Sequence, residues 1–106
     1  MTTTKTSITA VILNQQQPLS LQEIIRVLDI SEDFVRLLVE NDIIQPDGDS
    51  PPEWTFDARH LRRVRIAVDL HRELEVNLAG IDLALDLLQK IDALEEELSL
   101  HRLLTK

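Results

Sequence analysis

Leu19 to Asn41 reads LSLQEIIRVLDISEDFVRLLVEN, and two helix starts can be read directly from it. Ser20 with Glu23 three residues on forms an S-x-x-E capping box, and Leu19 with Ile24 forms a hydrophobic staple. The device repeats at Ser31, with Ile30 and Val35 as the staple pair. Apolar spacing of three and four assigns Leu21, Ile24, Ile25 and Leu28 to the inner face of the first helix. In the second helix Phe34, Val35, Leu37 and Leu38 take that place. Only Asp29-Ile30 separates the two helices, so they must cross steeply, as in a helix-turn-helix. The outer face of the second helix then carries Glu32, Asp33, Arg36 and Glu40.

Outward from this core, Asn41 to Pro52 (NDIIQPDGDSPP) is a loop. Ile43 and Ile44 are expected to tuck back onto the helices. Asp47-Gly48 is a hairpin turn signal, and Glu53 to Phe56 (EWTF) reads as a short strand. Loop, turn and strand make a wing. Asp57 caps a third helix from Ala58 to about Leu74, with Phe56 and Leu61 as its staple. Leu61, Val64, Ile66, Ala67, Val68 and Leu70 supply the apolar face of this helix. It holds five of the chain's eleven basic residues: Arg59, Arg62, Arg63, Arg65 and Arg72.

Asn77 is the cap of a last helix, from Leu78 to Leu104, with Val76 and Ile81 as staple. Ala84, Leu87, Ile91, Leu94, Leu98 and His101 recur at alternating three and four, which is a coiled-coil seam. Ile81, Leu83, Leu85 and Leu88 add apolar positions in its first half, which is expected to pack on the domain as well. The second half has too little chain around it to be buried in a monomer. A homodimer through Leu87, Ile91, Leu94 and Leu98 is therefore expected. Before the core, Thr2 to Leu13 is rich in Thr and Ile and suits a strand; the alternative is a flexible arm. The expected division is residues 1–18, arm or strand; 19–76, winged helix-turn-helix; 77–106, dimerisation helix.

With 106 residues and few glycines, the chain is sized for one mainly α domain with short strands. The absence of cysteine excludes disulfides and thiolate metal sites. No apolar run approaches the ~20 residues needed to span a bilayer, and no signal-peptide pattern opens the chain, so a cytoplasmic location is expected. No glycine-rich phosphate loop, nucleophile elbow or H-E-x-x-H occurs. His60 and His71 lie about 16 Å apart by helical rise, too far to share a metal. No catalytic residue, metal or cofactor is expected, and an enzyme is not.

The charges bear on the partner. The net charge is −8. From Leu19 to Glu53 there are nine acidic residues against two basic ones, Arg26 and Arg36. Affinity for DNA rests on Lys and Arg displacing counterions from phosphates, and a recognition helix places its outer face in the major groove. Here that face is carboxylate-rich. The arginines of the third helix could line phosphates, or could neutralise the domain's own acids with their stems over apolar surface.

The order of helix-turn-helix, wing, arginine-rich helix and coiled coil resembles the MerR class of winged-helix proteins. More narrowly it resembles the CbpM family, modulators of the DnaJ-like co-chaperone CbpA. The residues that carry the likeness begin with Ile30-Ser31-Glu32-Asp33 at the second helix start and Trp54, Phe56 and Asp57 in the wing. Arg65, Ala67, Val68, Leu70, His71, Glu73 and Leu74 follow, then Gly80, Ile81, Ala84, Leu85 and Leu87. The resemblance implies an adaptor that binds the J domain of a CbpA-like co-chaperone and inhibits its co-chaperone and DNA-binding activities. In that family the J domain offers basic helix residues to the chaperone DnaK. The acidic surface expected to meet them is Asp29, Glu32, Asp33 and Glu40, with Asp42 behind. The alternative is a MerR-type transcriptional regulator using its arginine helix on DNA.

Overall fold

The computed structural model describes residues 17–105. The strand or arm expected over Thr2 to Leu13 lies outside them. The fold is mainly helical, in the order β1 (Leu19–Ser20), α1 (Leu21–Leu28), α2 (Glu32–Glu40), a 3-10 turn (Pro51–Glu53), β2 (Thr55–Phe56), α3 (Ala58–Leu74) and α4 (Leu78–Leu104).

Each helix starts where its cap residue requires. Ser20 Oγ accepts from the Glu23 amide at 3.2 Å, and Glu23 Oε1 accepts from the Ser20 amide at 2.9 Å. Ser31 Oγ accepts from Phe34 N–H and Asn77 Oδ1 from Gly80 N–H. At α3 the box is closed by a histidine: Asp57 Oδ1 accepts from His60 N–H at 2.9 Å, and His60 Nδ1 accepts from Asp57 N–H at 3.2 Å. Accepting through Nδ1 places the proton of neutral His60 on Nε2.

The first three helices end on an acidic residue in the left-handed region. Asp29, Asp42 and Glu75 have φ of 54°, 58° and 54°. After α2 the stop is a Schellman motif. Ile43 N–H donates to Leu38 O at 2.9 Å and Asp42 N–H to Val39 O at 3.0 Å. This reversal brings Ile43 and Ile44 into the core, where both are buried.

The wing differs from its expected form. The strand is two residues long, because Pro51 and Pro52 open a 3-10 turn that takes in Glu53. The hairpin closes instead at Asp47 and Thr55, which exchange both backbone hydrogen bonds, 3.2 and 2.9 Å. Gly48 (φ 108°) sits inside this wide turn, where a Cβ would strike the Glu53 carbonyl. β2 then pairs antiparallel with β1, Leu19 opposite Phe56 and Ser20 opposite Thr55. A Ser cap needs extended backbone, so the residues that start α1 are already shaped to take the wing strand.

The core collects one face from every element. Ile24, Val35, Leu38, Phe56, Leu61, Val64, Ala67 and Ile81 are fully covered, and every staple pair packs into or against this cluster. Three expectations fail here. Leu37 is 42% exposed rather than buried, while Phe34 and Ile25 are half-buried. Apolar residues at 34, 35, 37, 38 and 39 span more of the helix circumference than one neighbouring surface can cover, and the core takes the Val35–Leu38 side. Leu83 (61% exposed) and Leu88 do not pack on the domain; of the extra apolar positions in α4, Ile81 and Leu85 do. Beyond Leu85, α4 carries its apolar residues away from the core. No helix is long and apolar enough among the described residues to cross a membrane.

Candidate functional site

Helix α2 presents an outer face that the core does not use. Asp33 and Glu40 are exposed there and Glu32 is half-exposed. Glu32 Oε2 pairs with Arg36 Nη2 at 2.8 Å across one turn, and Glu32 Oε1 accepts weakly from Gln22 Nε2 at 3.4 Å. Glu32 and Arg36, with Gln22 of α1 and Pro51 and Pro52 of the wing, line a shallow groove. Arg36 Nε is covered and without an acceptor among the described residues. Neither Asp33 nor Glu40 has a basic partner among the described residues. The face thus divides into a self-neutralised edge and an anionic edge, and Leu37 lies on the anionic one.

The other two acidic residues expected on this surface have structural work. Asp29 is the left-handed stop of α1, and its carbonyl accepts from the Arg72 guanidinium. Asp42 is the left-handed residue of the Schellman stop. Asp and Asn tolerate that conformation better than other side chains, which explains an acid at each position without a partner. Asp42 does not share the groove of Glu32. It lines a separate one of about 860 Å³ between the wing loop, α3 and α4, together with Arg59, Arg62, Arg63, Asp86 and Asp92.

Two of the α3 arginines make backbone contacts that neither reading of the sequence includes. Arg59, Arg62 and Arg63 face the acids of that groove, yet none makes a direct ion pair among the described residues. Arg63 Nη2 instead donates to the carbonyl of Ile43 at 3.2 Å, and Arg72 Nη2 to that of Asp29. Each reaches back to the stop of an earlier helix and holds it. His71 stacks on Phe34. Spacing gives no sign of these clasps, since the partners are two carbonyls past helix ends and a ring on another helix.

Two carboxylates are perturbed. The Ser20 amide, and after it the Ser20 hydroxyl, hold Glu23 below the usual carboxylate range. The His60 amide does the same for Asp57 against the opposing effect of partial burial. Both belong to capping boxes, so the perturbation belongs to folding. Among the described residues no group of three or more His, Asp or Glu side chains is placed to hold a metal ion.

On α4, Leu87, Ile91, Leu94 and Leu98 are between 47% and 63% exposed, Ile91 the least and Leu94 the most. They recur at alternating three- and four-residue steps along a helix of 27 residues, about 40 Å by its rise. The model of the MerR helix-turn-helix family of regulatory proteins matches residues 19–102. A chaperone modulatory protein CbpM of Coxiella burnetii (strain Dugway 5J108-111) is 39% identical over 95 residues, 90% of each chain. The chain belongs to the MerR helix-turn-helix family, among the CbpM proteins. The CbpM of Pseudomonas entomophila (strain L48) is 39% identical over 82 residues, 77% of this chain and 81% of that protein. That of Pseudomonas putida (strain GB-1) is 37% identical over 84 residues, 79% and 83%. No solved structure matches. The MerR match runs from β1 through nearly all of α4, so family membership covers the helix-turn-helix, the wing and both later helices together.

Proposed function

We propose that this chain is a chaperone modulator that acts by binding. Its partner in this reading is the J domain of a CbpA-like co-chaperone, and the docking face is the outer side of α2. Occupying the basic helix of the J domain blocks both its engagement of DnaK and the co-chaperone's contact with DNA. The observation that carries the reading is the charge of that face. In a DNA-reading helix-turn-helix it enters the major groove. Here the charges without a basic partner among the described residues are Asp33 and Glu40, and its one arginine is held by Glu32. Such a surface repels phosphates and attracts a basic protein, whose approach it would speed and orient. Catalysis, cofactor and metal have no part in this reading, and its setting is the cytoplasm.

The head, residues 19–76, carries the docking face; residues 77–106 join two copies through Leu87, Ile91, Leu94 and Leu98. Support for this second element comes from the row of half-exposed apolar side chains on α4, which a second copy would cover.

Calorimetric titration with the isolated J domain tests the reading. The unaltered chain binds, and Asp33→Lys with Glu40→Lys abolishes binding at moderate salt. Unchanged binding by that double variant removes α2 as the docking face. A rival reading, direct DNA binding, draws on Arg59 and Arg62, which stand exposed on α3. It requires duplex affinity that falls steeply with salt, whereas the adaptor reading requires none near physiological salt.

A further inference from the structure

We propose that Leu37 is the apolar anchor of the docking face, and that the face recognises a basic helix bearing an aliphatic side chain between two cationic ones. This rests on the reading above and narrows it to three side chains: Asp33, Leu37 and Glu40.

Leu37 is out of place by the logic of the fold. It is 42% exposed on a helix whose other side supplies Val35 and Leu38, both fully buried. Among the described residues, every other large apolar side chain left this open lies at the end of α3 (Leu74) or along α4. Within residues 19–76, Leu37 and Leu74 are the two, and Leu37 is the one on α2. Its surroundings are specific. Asp33 is four residues before it and Glu40 three after, so both flank it on the same side of the helix. Neither has a cation of its own among the described residues, whereas Glu32, at the edge of the face, is paired with Arg36. The free charges therefore bracket the leucine, about 10 Å apart by helical rise.

That arrangement matches how tight interfaces are built. An apolar side chain at the centre excludes water, and charges at the rim set orientation. Two carboxylates two turns apart are matched by two Lys or Arg side chains two turns apart on a facing helix. The residue between those cations then meets Leu37. An extended nucleic acid backbone offers no such apolar centre and repels both rims. A basic amphipathic helix satisfies all three positions.

The test is titration of the full chain with the isolated J domain at two salt concentrations, for the unaltered protein and three variants. Leu37→Ala is expected to bind at least tenfold more weakly, with the salt dependence of the unaltered chain and an unshifted thermal melt. Leu37→Met, which keeps the apolar volume, is expected to bind within threefold of the unaltered chain. Asp33→Asn with Glu40→Gln is expected to weaken binding and to flatten its salt dependence. If Leu37→Ala binds as the unaltered chain does while the Asn/Gln variant is weakened, Leu37 is not the anchor and the docking face itself stands. If neither change has an effect, the anchor and the docking face both fall.

Discussion

The imidazole of His71 stacks on the ring of Phe34, centroids 5.0 Å apart and 25° from parallel, and so ties the last turn of α3 to the first turn of α2. Next to it, Arg72 holds the carbonyl of Asp29. The start of the outward-facing helix is thus fixed by residues about forty positions later. Stacked ring pairs contribute about 0.5–1.5 kcal/mol beyond their burial. His71→Ala is expected to lower stability by about 1 kcal/mol in urea denaturation, while His71→Phe retains most of it.

Glycine at the helix stops is expected to stabilise the fold. Glu75 and Asp42 occupy the left-handed region, which costs a residue with a Cβ about 1 kcal/mol or more. Glu75→Gly should raise stability by about 1 kcal/mol, less the greater freedom of glycine in the unfolded chain. Asp42→Gly should gain less, because Asp tolerates that conformation better than Glu. J-domain affinity is expected to stay within threefold for Asp42→Gly, because Asp42 lines a different groove from Glu32. Thermal melts and titration of the two variants check both statements.

Acid should loosen the helix starts in a defined window. Glu23 and Asp57 are held below their ordinary values of 4.5 and 3.8, so the folded state takes up their protons less readily than the unfolded one. Their contribution is whole above about pH 4.5 and is lost as pH falls through the lowered values. Glu23→Gln with Asp57→Asn keeps capping side chains at both starts but removes the titration. Circular dichroism melts from pH 6 to pH 3 should show a shallower decline for this variant than for the unaltered chain.

The exposed apolar row of α4 makes the proposed dimer testable. Ile91 and Leu94 stand near the middle of the exposed apolar row. Ile91→Lys with Leu94→Lys is expected to give a monomer by sedimentation velocity and to reduce helix content, since an isolated helical half of this length is marginal in water. The hydrophobic core, from Leu19 to Leu85, contains neither residue, so its near-ultraviolet signal from Trp54 should persist.

The readable parts of the sequence were its local devices. Ser20, Ser31, Asp57 and Asn77 each cap the helix expected of them, because a cap and its partner lie three residues apart in any context. The apolar row of α4 is equally plain, since it is a periodicity. Leu37 was misassigned because the apolar residues of α2 cover too wide an arc for periodicity to choose among them. What decides is which side the rest of the core occupies. Leu83 lies two residues from both Ile81 and Leu85, on the opposite side of α4 from the core, and Leu88 lies beyond Leu85, where α4 leaves the core. The short wing strand follows from Pro51 and Pro52, which favour a tight turn over ladder pairing. Arg63 and Arg72 read as surface charge; their hold on Ile43 and Asp29 exists only once the helices are assembled. At the candidate site the acidity of α2 is legible, while the pairing of Glu32 and the lack of a basic partner for Asp33 and Glu40 among the described residues are not.

The central claim is that α2 turns an acidic, leucine-centred face to a basic J-domain helix. A titration of the isotope-labelled chain with unlabelled J domain, followed by amide chemical shifts at moderate salt, reads it residue by residue. The account predicts saturable shifts concentrated at Asp33, Arg36, Leu37 and Glu40, with the C-terminal half of α4 silent. Shifts confined to Arg59, Arg62 and the groove of α3 and α4, or no shifts at all, would contradict it.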